Sequence, residues 1–98
     1  MMTITAIMRA KRGHEATMRQ ALLDVAAHVR ANEPDTIAFF IAQDASDPCV
    51  FTTYERFTDP QAMDRHKGSD AVARLFGIAK PILDGDVTII TAHEISAK

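Results

Sequence analysis

An α+β fold with one antiparallel sheet is what this sequence predicts. Three observations predict it. Four β-rich runs are spread along 98 residues. Helical patterns separate the first run from the second and the third from the fourth, whereas only a turn separates the second from the third. Hydrophobic residues make up 47 % of the chain, enough for one core and not for two, so a single domain over residues 1–98 is expected.

Residues 2–10 (MTITAIMRA) alternate Thr with Ile and read as the first strand. Over 14–31, Met18, Leu22, Val25, Ala26 and Val29 fall on one helical face. Gly13 precedes that helix and Pro34 enforces its end. Residues 36–43 (TIAFFIAQ) are the second strand. Asp44 to Pro48 is rich in Asp, Ser and Pro, so strands two and three form a hairpin, with the third at 49–57. Thr58 or Asp59 is an N-cap with Pro60 in the first turn behind it. Helical structure then covers 59–67 and 70–80, broken near Gly68 and Ser69. Asp84-Gly85-Asp86 is a turn, and 86–95 (DVTIITAHEI) is the last strand.

The order β-α-β-β-α-(α)-β gives a sandwich of the ferredoxin-like kind, with the helices on one sheet face. The other face has no helix to cover it. In strand two, Ile37, Phe39 and Ile41 point one way and Ala38, Phe40 and Ala42 the other. In the last strand Val87 and Ile89 oppose Ile90 and Ala92. A half-solvated sheet would alternate with polar residues instead. A bare apolar face is rare on a monomer, so a homodimer packed sheet against sheet is expected.

Composition excludes several classes. Net charge is −2 and the eleven Lys and Arg residues are scattered, so no nucleic-acid footprint is present. No apolar run is long enough to span a membrane, and the N-terminus lacks the pattern of a signal peptide. Cys49 is the one cysteine, which rules out an internal disulfide framework and fits a reducing cytoplasm, the expected location. It reads as a small half-buried residue with no basic neighbour in sequence. His14, His28 and His93 show no metal spacing, and glycines 13, 68, 77 and 85 are isolated. No metal, flavin or nicotinamide cofactor is expected.

The stretch Tyr54-Glu55-Arg56-Phe57 through His66-Lys67-Gly68-Ser69 carries the most chemistry. Together with the opening T-I-T-A-I-M-R-A-K-R-G-H-E, it resembles the antibiotic biosynthesis monooxygenase family, small dimeric α+β-barrel proteins, over nearly the whole chain. Tyr54, Glu55, Phe57, Ala62 and His66 occupy the positions of the family's Tyr-Glu-x-aromatic, Ala and helical His. Phe57 stands where the family often has Trp, so an indole N–H donor is missing. The haem-degrading relatives have a first-strand Asn and a later His. Strand one here has no Asn, and Phe76 holds the matching position, so haem has no axial ligand.

The resemblance implies a cofactor-independent monooxygenase of a quinol or anthrone. The substrate's own electron-rich anion would reduce O2, and the protein would supply a base and a dry pocket. His66 is the expected catalytic base or hydrogen-bond partner. It equally fits a role in fixing its helix to the neighbouring strand. Phe51, Tyr54, Glu55 and Phe57 are the expected substrate-binding residues, with Phe39 or Phe40 as further walls. Strict alternation sets Tyr54 opposite Phe51, Thr53, Glu55 and Phe57, so Tyr54 and Phe57 cannot share a pocket without a bulge. Glu55 reads either as a base of raised pKa or as an ion-pair partner of Arg56, Arg65 or Lys67. Two other readings stand beside the oxygenase. One is an isomerase of a small phosphorylated signalling metabolite, using His66 and Lys67. The other is a non-catalytic ligand-binding dimer.

Overall fold

In the computed structural model, which describes residues 1–98, the first strand lies inside the sheet and not at its edge. The elements are β1 (Met2–Arg9), α1 (Glu15–Asn32), β2 (Thr36–Gln43), β3 (Val50–Phe57), α2 (Pro60–Lys67), α3 (Asp70–Ala79), a 3-10 turn (Lys80–Ile82) and β4 (Thr88–His93). The sheet order is β2-β3-β1-β4 and every pairing is antiparallel. This is the ferredoxin-like α+β arrangement that the element order predicts.

Local chemistry sets the boundaries. The Asp59 carboxylate accepts from the Ala62 N–H at 2.8 Å and caps α2 behind Pro60. Ser69 does the same for α3, accepting from the Val72 N–H at 3.2 Å, so the break at Gly68-Ser69 is one helix ending and another capped. Gly85 sits at φ +88°, the left-handed region that a turn into β4 requires and that glycine adopts at little cost. β4 is shorter than the expected 86–95, because pairing with β1 runs only from Thr88↔Ile7 to His93↔Met2. Val87 packs against the core ahead of it.

Cross-strand rows define the two faces. Phe39, Glu55, Ile4 and Thr91 form one row on the helix side, and Ile41, Thr53, Ala6 and Ile89 form the next. Ala6, Met8 and Phe51 pack there against Met18, Leu22, Val25 and Val29 of α1 and Val72, Leu75 and Ala79 of α3. Ile4 and Phe57 meet Ala62 and Met63 of α2 in a second cluster. The register shifts between Thr36 and Ala38, so Ile37 leaves the ladder and is 46 % exposed. The bulge thus separates Ile37 from Phe39 and Ile41, which strict alternation had grouped with it.

On the opposite face, Phe40, Tyr54, Thr5 and Ile90 make one row across all four strands. Phe40 is 63 % exposed there. Thr3, Thr5 and Thr52 occupy the central strands of this face, so its apolar area is concentrated on Ile7, Phe40, Tyr54 and Ile90. Arg56 makes a bidentate pair with Glu94, at 2.6 and 3.0 Å, and ties β3 to the chain beyond β4. No helix is long and apolar enough to cross a membrane.

Candidate active site

The middle of β3 aims Glu55 at the helices, between Phe39 of β2 and Ile4 of β1. The last turn of α2 lowers His66 onto it. His66 Nε2 lies 3.1 Å from Glu55 Oε1. Its other nitrogen, Nδ1, lies 2.8 Å from Glu33 Oε1, at the C-cap of α1. One buried imidazole therefore stands between two carboxylates. Both carboxylates are braced. The Thr53 hydroxyl donates to Glu55 Oε2 at 2.7 Å, and the Thr36 hydroxyl donates to Glu33 Oε1 at 2.7 Å. The rings of Phe39 and Phe57 stand 5.5 and 5.3 Å from the imidazole, tilted against it, and keep it from turning.

The electrostatics follow from this geometry. Burial alone would lower the His66 pKa, because it disfavours the charged ring. The hydrogen bonds and charges of Glu55 and Glu33 outweigh burial and hold the pKa above its ordinary 6.5. An imidazolium with both N–H groups donated to carboxylates has no lone pair for a substrate proton. In its charged form His66 donates to both carboxylates, and the accepting atoms are oxygens of Glu55 and Glu33.

Two hollows flank the cluster. On the Glu55 side is an apolar cavity of about 160 Å³ between sheet and helices. Its walls include Met8, Leu22, Phe39, Val72, Leu75 and Phe76, and its polar groups are Thr53, Glu55, His66 and Lys67. On the Glu33 side is a polar cleft of about 450 Å³, lined by His28, Asn32, Glu33, Asp35, Arg65 and Ser69 among others. His66 borders both.

Of the residues expected from sequence, Glu55 and His66 come together on the cavity. Glu55 pairs with His66, while the three expected cations go elsewhere or stand apart: Arg56 binds Glu94, Arg65 binds Asp35 at 3.1 Å, and Lys67 borders the cavity. Phe51 and Phe57 face the helices as buried core, and neither lines the cavity. Phe57 acts on the site only through its contact with the His66 ring. Tyr54 and Phe40 lie on the opposite sheet face, and Phe39 is the strand-two aromatic that lines the cavity. Sequence reasoning missed Glu33. It lies 33 positions before His66, in a helix end whose only local signal is Pro34, and nothing in its neighbours distinguishes it from a solvated acid.

No group of three or more His, Cys, Asp or Glu side chains is placed to hold a metal ion. Phe76 lines the cavity as an apolar wall. Burial pushes the Cys49 thiol up, and the Glu15 and Asp47 carboxylates push it further, so it is not activated.

Comparison with known proteins agrees with this architecture. A family model described as antibiotic biosynthesis monooxygenase matches residues 1–76, a span that includes Glu33, Glu55 and His66. Among solved structures, a Caulobacter crescentus CB15 protein named by assignment as an antibiotic biosynthesis monooxygenase superposes with a TM-score of 0.90. It is 21 % identical, and the match covers 97 % of this chain and 90 % of that one. A Deinococcus radiodurans protein named in the same way gives 0.89 at 23 % identity, over 100 % and 96 % of the two chains. Rv0793 from Mycobacterium tuberculosis gives 0.89 at 16 % identity, over 98 % and 96 %. Such identities establish the shared fold. No curated protein matches the sequence. The match over residues 1–76 places the chain in the antibiotic biosynthesis monooxygenase family.

Proposed function

We propose that the protein is a cofactor-independent monooxygenase of a small electron-rich aromatic, a quinol or a related hydroxylated ring. One observation carries the reading: an apolar cavity whose wall presents a single buried carboxylate, Glu55, braced by the His66 ring and the Thr53 hydroxyl. A cavity of about 150 Å³ lined by apolar side chains is known to hold benzene. The 160 Å³ here suits one ring, and a three-ring anthrone would extend through its mouth.

The chemistry balances without a cofactor. Glu55 takes a proton from a ring hydroxyl or an activated C–H, leaving an electron-rich anion. The anion passes one electron to O2, and the resulting radical pair joins as a peroxide on the ring. Glu55 returns its proton to the peroxide. The hydrogen remaining on that carbon then leaves as the O–O bond breaks, so one oxygen stays as a ring carbonyl and the other departs with that hydrogen as water. His66 holds Glu55 in place and lends positive charge beside the developing anion. The apolar walls exclude water from the radical pair.

The isomerase reading fits less well. A phosphate in this cavity would face the Glu55 carboxylate, with Lys67 as the one cation on its lining. The row Phe40-Tyr54-Thr5-Ile90 is proposed as the centre of a homodimer interface, which gives the exposed aromatics of the open face a partner. Tyr54 then serves that interface and not the cavity.

Oxygen uptake by metal-free protein against a panel of quinols, hydroxyphenols and anthrones tests the reading. Uptake with a single-ring quinol, reduced about a hundredfold or more in Glu55→Gln, is expected. No uptake on any member retires the oxygenase reading in favour of a binding dimer. Uptake that survives in Glu55→Gln removes Glu55 from the mechanism.

A further inference from the structure

We propose that Glu33 and His28 extend the Glu55–His66 pair into a proton path that joins the polar cleft to the apolar cavity. Four groups stand in series. Glu55 Oε1 is 3.1 Å from His66 Nε2, and His66 Nδ1 is 2.8 Å from Glu33 Oε1. Glu33 Oε2 is 3.1 Å from His28 Nε2, and the His28 side chain is 32 % exposed in the cleft. Glu33 Oε2 is itself buried, and no aligned hydrogen bond reaches it. An orphaned buried oxygen is unusual in a folded protein, and its position between His66 and the cleft gives it a use.

The path works by proton exchange along existing contacts. The His66 Nδ1–H bond breaks and an O–H bond forms at Glu33 Oε1, leaving a neutral ring and a neutral acid. The terminal torsion of glutamate is soft and roughly two-fold, so a half-turn of the carboxyl carries that O–H to the Oε2 position. There it leaves to a neutral His28 ring whose Nε2 carries no hydrogen, and that ring releases its Nδ1 proton to the cleft. The reverse sequence recharges His66. The charged groups facing the ring are Glu33 from the end of α1 and Glu55 from β3. Arg65 and Asp35 pair with each other at the cleft, with side chains more than half exposed.

The purpose of the path rests on the oxygenase reading. A ring that fills the cavity closes the route to solvent on the Glu55 side. The buried cluster then reaches the protonation state of the solvent through Glu33.

The test needs no substrate, so it fails or succeeds apart from that reading. The rate at which the His66 ring exchanges its proton with solvent is read by ¹⁵N relaxation dispersion on ring-labelled, full-length, ligand-free protein. The measurement is made at the His66 titration midpoint of each variant. His28→Leu is expected to slow exchange by roughly tenfold or more, the loss of one acid–base carrier. Glu33→Gln, which keeps a hydrogen-bond acceptor and loses the carboxyl carrier, is expected to slow it too. A purely structural His28 would shift at most the midpoint. Unchanged or faster exchange in His28→Leu overturns the path, and this exposed position decides the question even where Glu33→Gln fails to fold.

Discussion

Replacing His66 by Ala tests the core of the site. The substitution removes the group that separates two carboxylates whose side chains are 14 % and 8 % exposed. Removing one partner of a buried ion pair costs about 3–5 kcal/mol, because the remaining charge stays desolvated. A domain of this size is stable by roughly 5–15 kcal/mol, so the variant keeps only part of that margin. At about 4–8 °C per kcal/mol, the midpoint of thermal unfolding is expected to fall by about 12–40 °C. The pH dependence separates charge from packing. The folded-state pKa of His66 is raised above 6.5, so its contribution is full below that value and is lost as pH rises through the folded pKa. The gap between wild type and His66→Ala is therefore widest near pH 6 and narrows at higher pH. Thermal and urea unfolding at pH 6 and pH 9, at fixed protein concentration, measure it. A loss below about 1 kcal/mol, or a gap independent of pH, refutes the reasoning and leaves a packing defect alone.

Three further outcomes are expected. Phe40→Lys places a charge in the middle of the open-face row and should convert a dimer to a folded monomer in sedimentation. A wild type that sediments as a monomer sinks the interface. Asp59→Ala should cost about 1 kcal/mol in urea unfolding through loss of the α2 cap, and an unchanged transition would show that Pro60 and packing suffice. Val72→Phe projects a ring into the cavity and should abolish quinol-dependent oxygen uptake without unfolding the protein, as circular dichroism and uptake together would report. Full activity in that variant would place the reaction elsewhere.

The chain of local signals read most of the fold. Period-3.6 apolar spacing marked α1, Asp59-Pro60 marked the start of α2, and the Asp-rich turn after Gln43 marked the hairpin. Each of these acts within a few residues, so each is visible in sequence. The bulge at Ile37 was not, because a register shift is set by the partner strand. The early end of β4 was not either, because it depends on where pairing with β1 stops.

The candidate site divides in the same way. His66 stands out in sequence as a histidine on a short helix after an aromatic strand end, and Glu55 as the acid in the aromatic and charged cluster Tyr54-Glu55-Arg56-Phe57. Alternation alone set Tyr54 and Glu55 on opposite faces. Only the tertiary structure decided which face meets the helices, because both parities of the sheet carry apolar residues. Only it brought Glu33 across from the end of α1 to the far nitrogen of His66. That contact changes the chemistry. A histidine that reads in sequence as a base, a hydrogen-bond partner or a helix anchor has, between two buried carboxylates, a pKa held above its ordinary value, and the proposed function therefore gives the proton-accepting role to Glu55. Sequence determines which groups are present and which local elements carry them. The protonation that gives them a role depends on desolvation and on charges a few ångströms away in space, and those are fixed only by the packed fold.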